Sequence, residues 1–226
     1  MSLLRRVSDN RRTLRTLYYI WVVFPYPIRK PLTALGLLGV LGMKKLFGVN
    51  RSNAPTPMDD LGNLSFWGVP EIDLEHYTLR VDGEVENPLT LTFADLTGFE
   101  MTERPVRLDC VGGFRNNSTM KGFPLAALLD KAGLKPEAES AVFHCADGYF
   151  TTHRIADLMS SEAFMACEIN DQRLERFGYP LRLAALGTYG YKWAKWVVRI
   201  ELVKDFPKGY WEQKGLPARG KVGDIW

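Results

Sequence analysis

Cysteine is scarce in this chain. Cys110, Cys145 and Cys167 are the only three in 226 residues, and no two of them form a Cys-x-x-Cys pair. An odd and scattered set argues against a disulfide framework, fits a reducing compartment and offers no haem-attachment signature. Histidine is equally sparse, and His76, His144 and His153 lack the repeated Cys/His spacing of a tetrahedral zinc site. No internal repeat or low-complexity tract occurs. The chain also lacks a long uninterrupted apolar run: 17–27 and 31–43 are each shorter than the ~20 residues that span a bilayer. Joined, they would bury Arg29 and Lys30 near mid-membrane at roughly 2.5 kcal/mol or more per charge, which excludes a simple transmembrane helix. No small-residue cleavage site follows them, and Pro25, Pro27 and Pro31 interrupt them, so a secretory signal fits poorly.

Acidic residues are almost missing from the first fifty positions, which carry nine Lys and Arg against one acid, a net +8. The remaining residues carry twenty against twenty-five, a net −5. The body has no basic stripe interleaved with aromatics, so nucleic acid is not the expected partner. The basic, aromatic-flanked segment 1–50 is expected to contact a membrane surface or a protein partner, giving a cytoplasmic protein peripheral at the membrane. The bland alternative is that it packs on the domain or on another subunit. Residues 50–60, NRSNAPTPMDD, read as a linker, so the expected organisation is a segment 1–60 followed by one domain, 61–226.

Within the domain, strand-like runs alternate with short helical ones. Tyr77–Val81, Leu89–Phe93, Val106–Cys110, Ala141–Ala146, Phe164–Ile169, Leu181–Ala185 and Trp196–Val203 are rich in β-branched and aromatic residues. Asp95-Leu96 reads as a short helix, and Pro124–Ala132 as another, stopped at Gly133. The fold class expected is α+β, mixed but mainly antiparallel β with short helices.

Two stretches carry chemistry. In Arg107-Leu-Asp-Cys-Val-Gly-Gly-Phe-Arg-Asn-Asn117 a strand delivers Cys110 into a Gly-Gly loop where backbone can approach a large ligand, and Arg107 and Arg115 favour a thiolate. Alone, such a cysteine is more often a small buried hydrophobe. In Gly178-Tyr-Pro-Leu-Arg-Leu183 and Gly187-Thr-Tyr-Gly-Tyr-Lys-Trp-Ala-Lys-Trp196, Arg182, Lys192 and Lys195 bring cations to glycine-rich backbone, a chemistry suited to phosphate. Alone, the two lysines read as solvated surface charges.

Taken in order with Lys121-Gly-Phe-Pro-Leu125, Val69-Pro-Glu-Ile-Asp73, Val-Val-Arg-Ile-Glu201 and Gly209-Tyr-Trp-Glu212, these motifs resemble the oxidoreductase molybdopterin-binding domain, the family of sulfite oxidases and methionine-sulfoxide reductase catalytic subunits. The resemblance implies a molybdenum-molybdopterin (Mo) cofactor with Cys110 as the protein thiolate on the metal. It implies cofactor contacts from Arg182, Lys192, Trp193, Ala194 and Lys195, from Asn63, Phe66 and Trp67, and from Cys145. Arg115, five residues after Cys110, stands where sulfite oxidases carry a substrate-anion arginine. Two departures matter: the loop lacks the Asn and first Arg of Cys-x-Gly-Asn-Arg-Arg, and Phe177 replaces a His or Asn that hydrogen-bonds the cofactor. Tyr149 or Tyr210 is expected to donate a hydrogen bond to substrate.

The function implied is oxygen-atom transfer on a small sulfur-type substrate, sulfite or sulfoxide, with electrons exchanged through a separate redox partner such as a membrane cytochrome subunit. No appended immunoglobulin-like dimerisation domain is expected. Two rivals stand beside it. One is a cofactor-free scaffold or interaction subunit; the other is a hydrolase pairing Cys110 with His144 or His153.

Overall fold

The computed structural model describes residues 16, 19, 23–46, 53–65 and 67–224; Phe66 and most of the first apolar run lie outside the described residues. Two five-stranded sheets form the body. In the first, the order is β2 (Leu89–Thr92), β1 (Thr78–Gly83), β10 (Val197–Val203), β5 (Ser140–Cys145), β6 (Phe150–Arg154). Its β1–β10 pair is parallel and every other pair antiparallel. The second sheet is antiparallel throughout: β3 (Thr102–Asp109), β4 (Arg115–Pro124), β7 (Phe164–Ile169) and β8 (Gln172–Arg173), with β9 (Arg182–Ala184) also on β7. Helices bounded within the described residues are α1 (Tyr26–Leu46), α2 (Phe93–Thr97), α3 (Leu125–Ala132) and α4 (Ile155–Ser160). This is the mixed, mainly antiparallel α+β class expected.

The strands read from apolar runs sit where their side chains bury: Leu79 and Val81 of β1, Ile200 and Leu202 of β10, and Phe164, Met165 and Ala166 of β7. Three strands were not expected, the two-residue β8 and the longer β4 and β6. β4 alternates but turns Asn116 and Ser118 inward, whereas β6 does not alternate, being buried on both faces through Thr151, Thr152 and His153. An apolar period of two is invisible when the buried partners are polar. Gly122 serves the same sheet through its missing side chain, because a Cβ there would lie 2.0 Å from the Met165 carbonyl at the β4–β7 register shift.

The N-terminal basic segment contributes α1, which begins on the Pro25 carbonyl and continues through Arg29, Lys30 and Pro31 as one helix. It lies against the body through Ala34 and Leu37, beside the turn Glu212–Lys214. Among the described residues no helix is long and apolar enough to cross a membrane. The stretch read as a linker is tied to the second sheet: Thr56 N–H donates to the Asn117 carbonyl at 2.7 Å and Asn117 Nδ2 donates to the Ala54 carbonyl at 3.0 Å.

Lys192 departs from both of its sequence readings. It is neither a solvated surface charge nor part of the cavity described below, but is fully buried with its ammonium on Glu212 Oε1, the Thr152 carbonyl and, at 3.0 Å, the Ala218 carbonyl. Three acceptors complete its donor set, so the pair fastens the 209–218 segment to β6. Replacing Lys192 with Met is expected to cost about 3–5 kcal/mol, because it strands the Glu212 charge. The double variant Lys192→Met/Glu212→Leu should recover part of that loss. Urea denaturation of the wild type and both variants checks it.

Candidate active site

The 110–114 loop is short and closes on itself. Cys110 N–H donates to the Phe114 carbonyl at 2.9 Å, Gly113 N–H donates back to the Cys110 carbonyl at 3.0 Å, and Gly112 N–H points at the Cys110 sulfur at 3.3 Å. Cys110 lines a cavity of about 350 Å³, within the size range of small-ligand sites. The facing 62–65 segment is held to β4 by one side chain: Asn116 Oδ1 accepts from Gly62 N–H at 2.9 Å and Asn116 Nδ2 donates to the Gly62 carbonyl at 2.8 Å.

Arg182 and Lys195 reach the same cavity from separate segments. Arg182 opens β9, and Lys195 sits two residues before β10. Gly178 lets them crowd: its φ is +127°, and a Cβ there would lie 2.9 Å from the Cβ of Arg182 and 3.1 Å from that of Lys195. Arg182 is buried, donates from Nη1 to the Phe177 carbonyl at 2.8 Å and lies 5.6 Å over the Trp193 ring. Its Nε is buried with no partner. Burial pulls its pKa down to about 10. Lys195 Nζ donates to Asn63 Oδ1 at 2.9 Å and the Leu64 carbonyl at 2.8 Å. Burial and then the Arg182 charge pull its pKa from 10.5 to about 7. Asp147 is the one carboxylate lining the cavity among the described residues, and burial raises its pKa.

Cys110, Asn63, Trp67, Arg182, Trp193 and Lys195 are thus brought to one cavity. Of the other expected site residues, Phe66 lies outside the described residues, Tyr149 lines the cavity too, and Ala194, Cys145, Arg115, Lys192 and Tyr210 do not. Ala194 is buried beneath it, its carbonyl accepting Leu183 N–H at 2.8 Å. Cys145 is buried on β5 just behind Lys195, whose backbone N–H is directed at it; burial and then Asp147 hold its thiol pKa well above the ordinary value. Arg115 does not line the cavity. Its Nε and Nη2 make a forked pair with Asp109 at 2.9 and 3.2 Å. Lys192 is committed to Glu212, as described above. Tyr149 lines the cavity with its hydroxyl on the Tyr191 carbonyl, whereas Tyr210 packs edge-on against Trp67 at 5.0 Å without lining it.

Phe177 also faces the cavity, and the protein group it supplies there is its carbonyl, on Arg182. Sequence reasoning missed Asn116, hidden in a strand of polar residues, and Asp147, whose signal was the Asp-Gly turn after β5. Neither histidine of the hydrolase reading lines this cavity: His144 pairs with Glu201 at 2.9 Å, and His153 meets the Lys192 carbonyl at 2.8 Å.

These residues fit a pterin phosphate and a thiolate-bound metal. A guanidinium nitrogen buried without a partner costs free energy unless an acceptor reaches it. Two adjacent cations, one of them with its pKa drawn down toward 7, form a site that an anionic group relieves. A scaffold with no ligand would gain nothing from keeping that arrangement. Among the described residues no group of three or more His, Cys, Asp or Glu could hold a metal ion, and Cys110 is the cysteine that lines this cavity.

Comparison with known proteins agrees. The sequence profile described as the oxidoreductase molybdopterin binding domain matches residues 66–211. The chain is 31% identical over 150 residues to the oxidoreductase YuiH of Bacillus subtilis, covering 66% of this chain and 76% of that protein. It is 29% identical over 169 residues to the protein-methionine-sulfoxide reductase catalytic subunit MsrP of Campylobacter jejuni, covering 67% of this chain and 57% of the relative. The solved structure of the sulfane dehydrogenase SoxCD from Paracoccus pantotrophus superposes with a TM-score of 0.64 at 26% identity, covering 69% of this chain and 45% of that one. The match therefore spans little more than half of the sulfoxide reductase and less than half of the SoxCD chain. Fold, cavity and sequence agree that the chain belongs to the oxidoreductase molybdopterin binding domain family, as a molybdenum-cofactor oxidoreductase.

Proposed function

We propose that this chain reduces a neutral sulfoxide to the thioether, drawing electrons from a separate redox partner. The observation that carries this reading is the forked Asp109–Arg115 pair. The arginine available to an anionic substrate is spent on a neighbouring carboxylate outside the cavity, while Arg182 and Lys195 are the cations a pterin phosphate would take. What remains of the wall is largely apolar and aromatic, with Leu64, Trp67, Phe114, Trp211 and Leu216. Lys214, over the Tyr210 ring at 4.7 Å, is the further cation. Such a wall suits an uncharged group bearing alkyl substituents better than sulfite.

The cofactor, when bound, supplies the two-electron oxygen-atom chemistry, with Cys110 as its protein ligand. The residues supply the rest. Arg182 and Lys195 hold the phosphate and fix the pterin, Trp193 floors Arg182, and the Asn116 clamp keeps the 62–65 wall in place. Reducing a sulfoxide takes two electrons and two protons and releases water. Asp147 is the carboxyl group on the cavity wall from which a proton could be delivered, and burial raises its pKa from the ordinary value. Relatives named as catalytic subunits support a separate electron donor, such as a membrane cytochrome subunit.

With the molybdenum-loaded protein, a reduced viologen dye and methionine sulfoxide should give kcat/KM about 10² above that for sulfite with ferricyanide. Preferred oxidation of sulfite would overturn the sulfoxide reading. The pH dependence follows from Lys195. In cofactor-free protein its folded pKa, about 7, lies below its ordinary 10.5. The unfolded chain therefore holds a proton that the folded chain has lost across that window. Stability rises with pH from about 7 to 10.5, and the full cost is present below 7. Lys195→Met should raise the cofactor-free Tm at pH 6, by roughly 2–4 °C per kcal/mol of relieved repulsion, and flatten this rise. It should also weaken retention of the pterin. Scanning calorimetry from pH 6 to 10 checks the first and fluorescence of released pterin the second.

A further inference from the structure

Helix α1 has two apolar faces, and the body uses one. Ala34 and Leu37 are buried against it, Thr33 reaches the cavity wall, and a Cβ on Gly215 would lie 3.2 Å from the Lys30 Cα. About half a turn round the helix, Ile28, Leu32, Leu35 and Met43 fall at intervals of four, three and eight residues, which places them on one stripe. That stripe is exposed, Leu35 to 64% and Met43 to 57%. No acid lies in the helix. Lone exposed leucines need no explanation, but a continuous apolar stripe on an unpaired helix face does.

The charge of the surrounding chain indicates what covers it. The first fifty residues carry nine cations and one acid, while the rest of the chain is net acidic. Arg29 and Lys30 stand in the first turns of α1, Lys44 and Lys45 at its far end, and Lys208 donates to the Tyr26 hydroxyl at 3.1 Å. An apolar stripe on a helix that belongs to a strongly basic segment, and that is not long and apolar enough to cross a bilayer, suits an anionic lipid surface in polarity and in net sign. A second copy of this chain would set one basic segment against another.

We infer that α1 docks on an anionic membrane surface through the Ile28, Leu32, Leu35 and Met43 stripe, with its opposite face left on the catalytic body. Because Thr33 on α1 and Trp67 line the same cavity, docking sets that cavity about one helix diameter, ~10 Å, from the headgroups. A redox partner held in the membrane would then meet the site without a long diffusional search. The inference stands on the helix and its charge, independently of which sulfur compound is the substrate.

The test is co-sedimentation of the full chain with phosphatidylglycerol-containing vesicles and with pure phosphatidylcholine vesicles. Binding is expected to the anionic vesicles, at least about tenfold weaker to the neutral ones and reversed by high salt. The exposed-face variant Leu35→Glu/Met43→Glu should lose binding about tenfold or more while keeping the wild-type Tm and circular dichroism. Wild-type protein that stays in solution with anionic vesicles, binds both vesicle types equally, or binds undiminished with both glutamates present would overturn the inference. So would light scattering that finds a wild-type dimer which the variant dissociates, since the occupant of the face would then be a second copy.

Discussion

Two like charges held side by side in a partly buried cavity set the terms for the rest of this molecule. Arg182 and Lys195 are drawn together across Gly178, one of them with a buried nitrogen that nothing accepts from. In the absence of an anion this arrangement costs stability, and the pKa of Lys195, depressed by burial and then by Arg182, expresses that cost. A phosphate removes it. The two segments that carry these cations are fixed by the sheets, β9 on β7 and β10 between β1 and β5. The fold therefore concentrates positive charge on the cavity that Cys110 also lines.

Around that centre, three other cations are paired with carboxylates, while Lys214 stays on the cavity wall over the Tyr210 ring. Lys192 is closed off by Glu212 and two carbonyls, Arg115 by Asp109, and Arg199 by Asp82 at 2.9 Å. Each pairing removes a cation from competition for an anion and leaves the remaining wall largely apolar. This separation of roles is the physical basis of the proposed preference for an uncharged sulfoxide over sulfite. It also explains why Phe177 is compatible with cofactor binding: its backbone carbonyl positions Arg182, so the ring is free to be apolar wall.

Much of this was legible in the sequence, and the failures have physical causes. The strand that delivers Cys110, the Pro-Leu-Arg motif and Lys195 were readable because order and spacing carried them together. The fold class was readable from β-branched runs, yet β4 and β6 were not, since Asn116, Ser118, Thr151 and Thr152 bury polar atoms where a strand pattern calls for apolar ones. Lys192 was grouped with Arg182 and Lys195 because all three stand in glycine-rich stretches. The local 3-10 turn Gly190–Lys192 instead directs it to Glu212, twenty residues ahead in the chain. Arg115, expected at a substrate-anion position, is instead turned to Asp109 outside the cavity. Its partner lies directly across a β-hairpin, a register fact that the linear sequence hides.

The central claim is that Cys110, Arg182 and Lys195 form one cofactor site, and its most direct measurement is metal and pterin content together. Protein made in a cofactor-competent host should carry near-stoichiometric molybdenum and pterin by mass spectrometry and fluorescence. Cys110→Ser should lose the metal while retaining part of the pterin, because the two cations still hold its phosphate. Arg182→Ala should lose both. Absence of molybdenum and pterin from the wild type, or their retention in Arg182→Ala, would contradict the account.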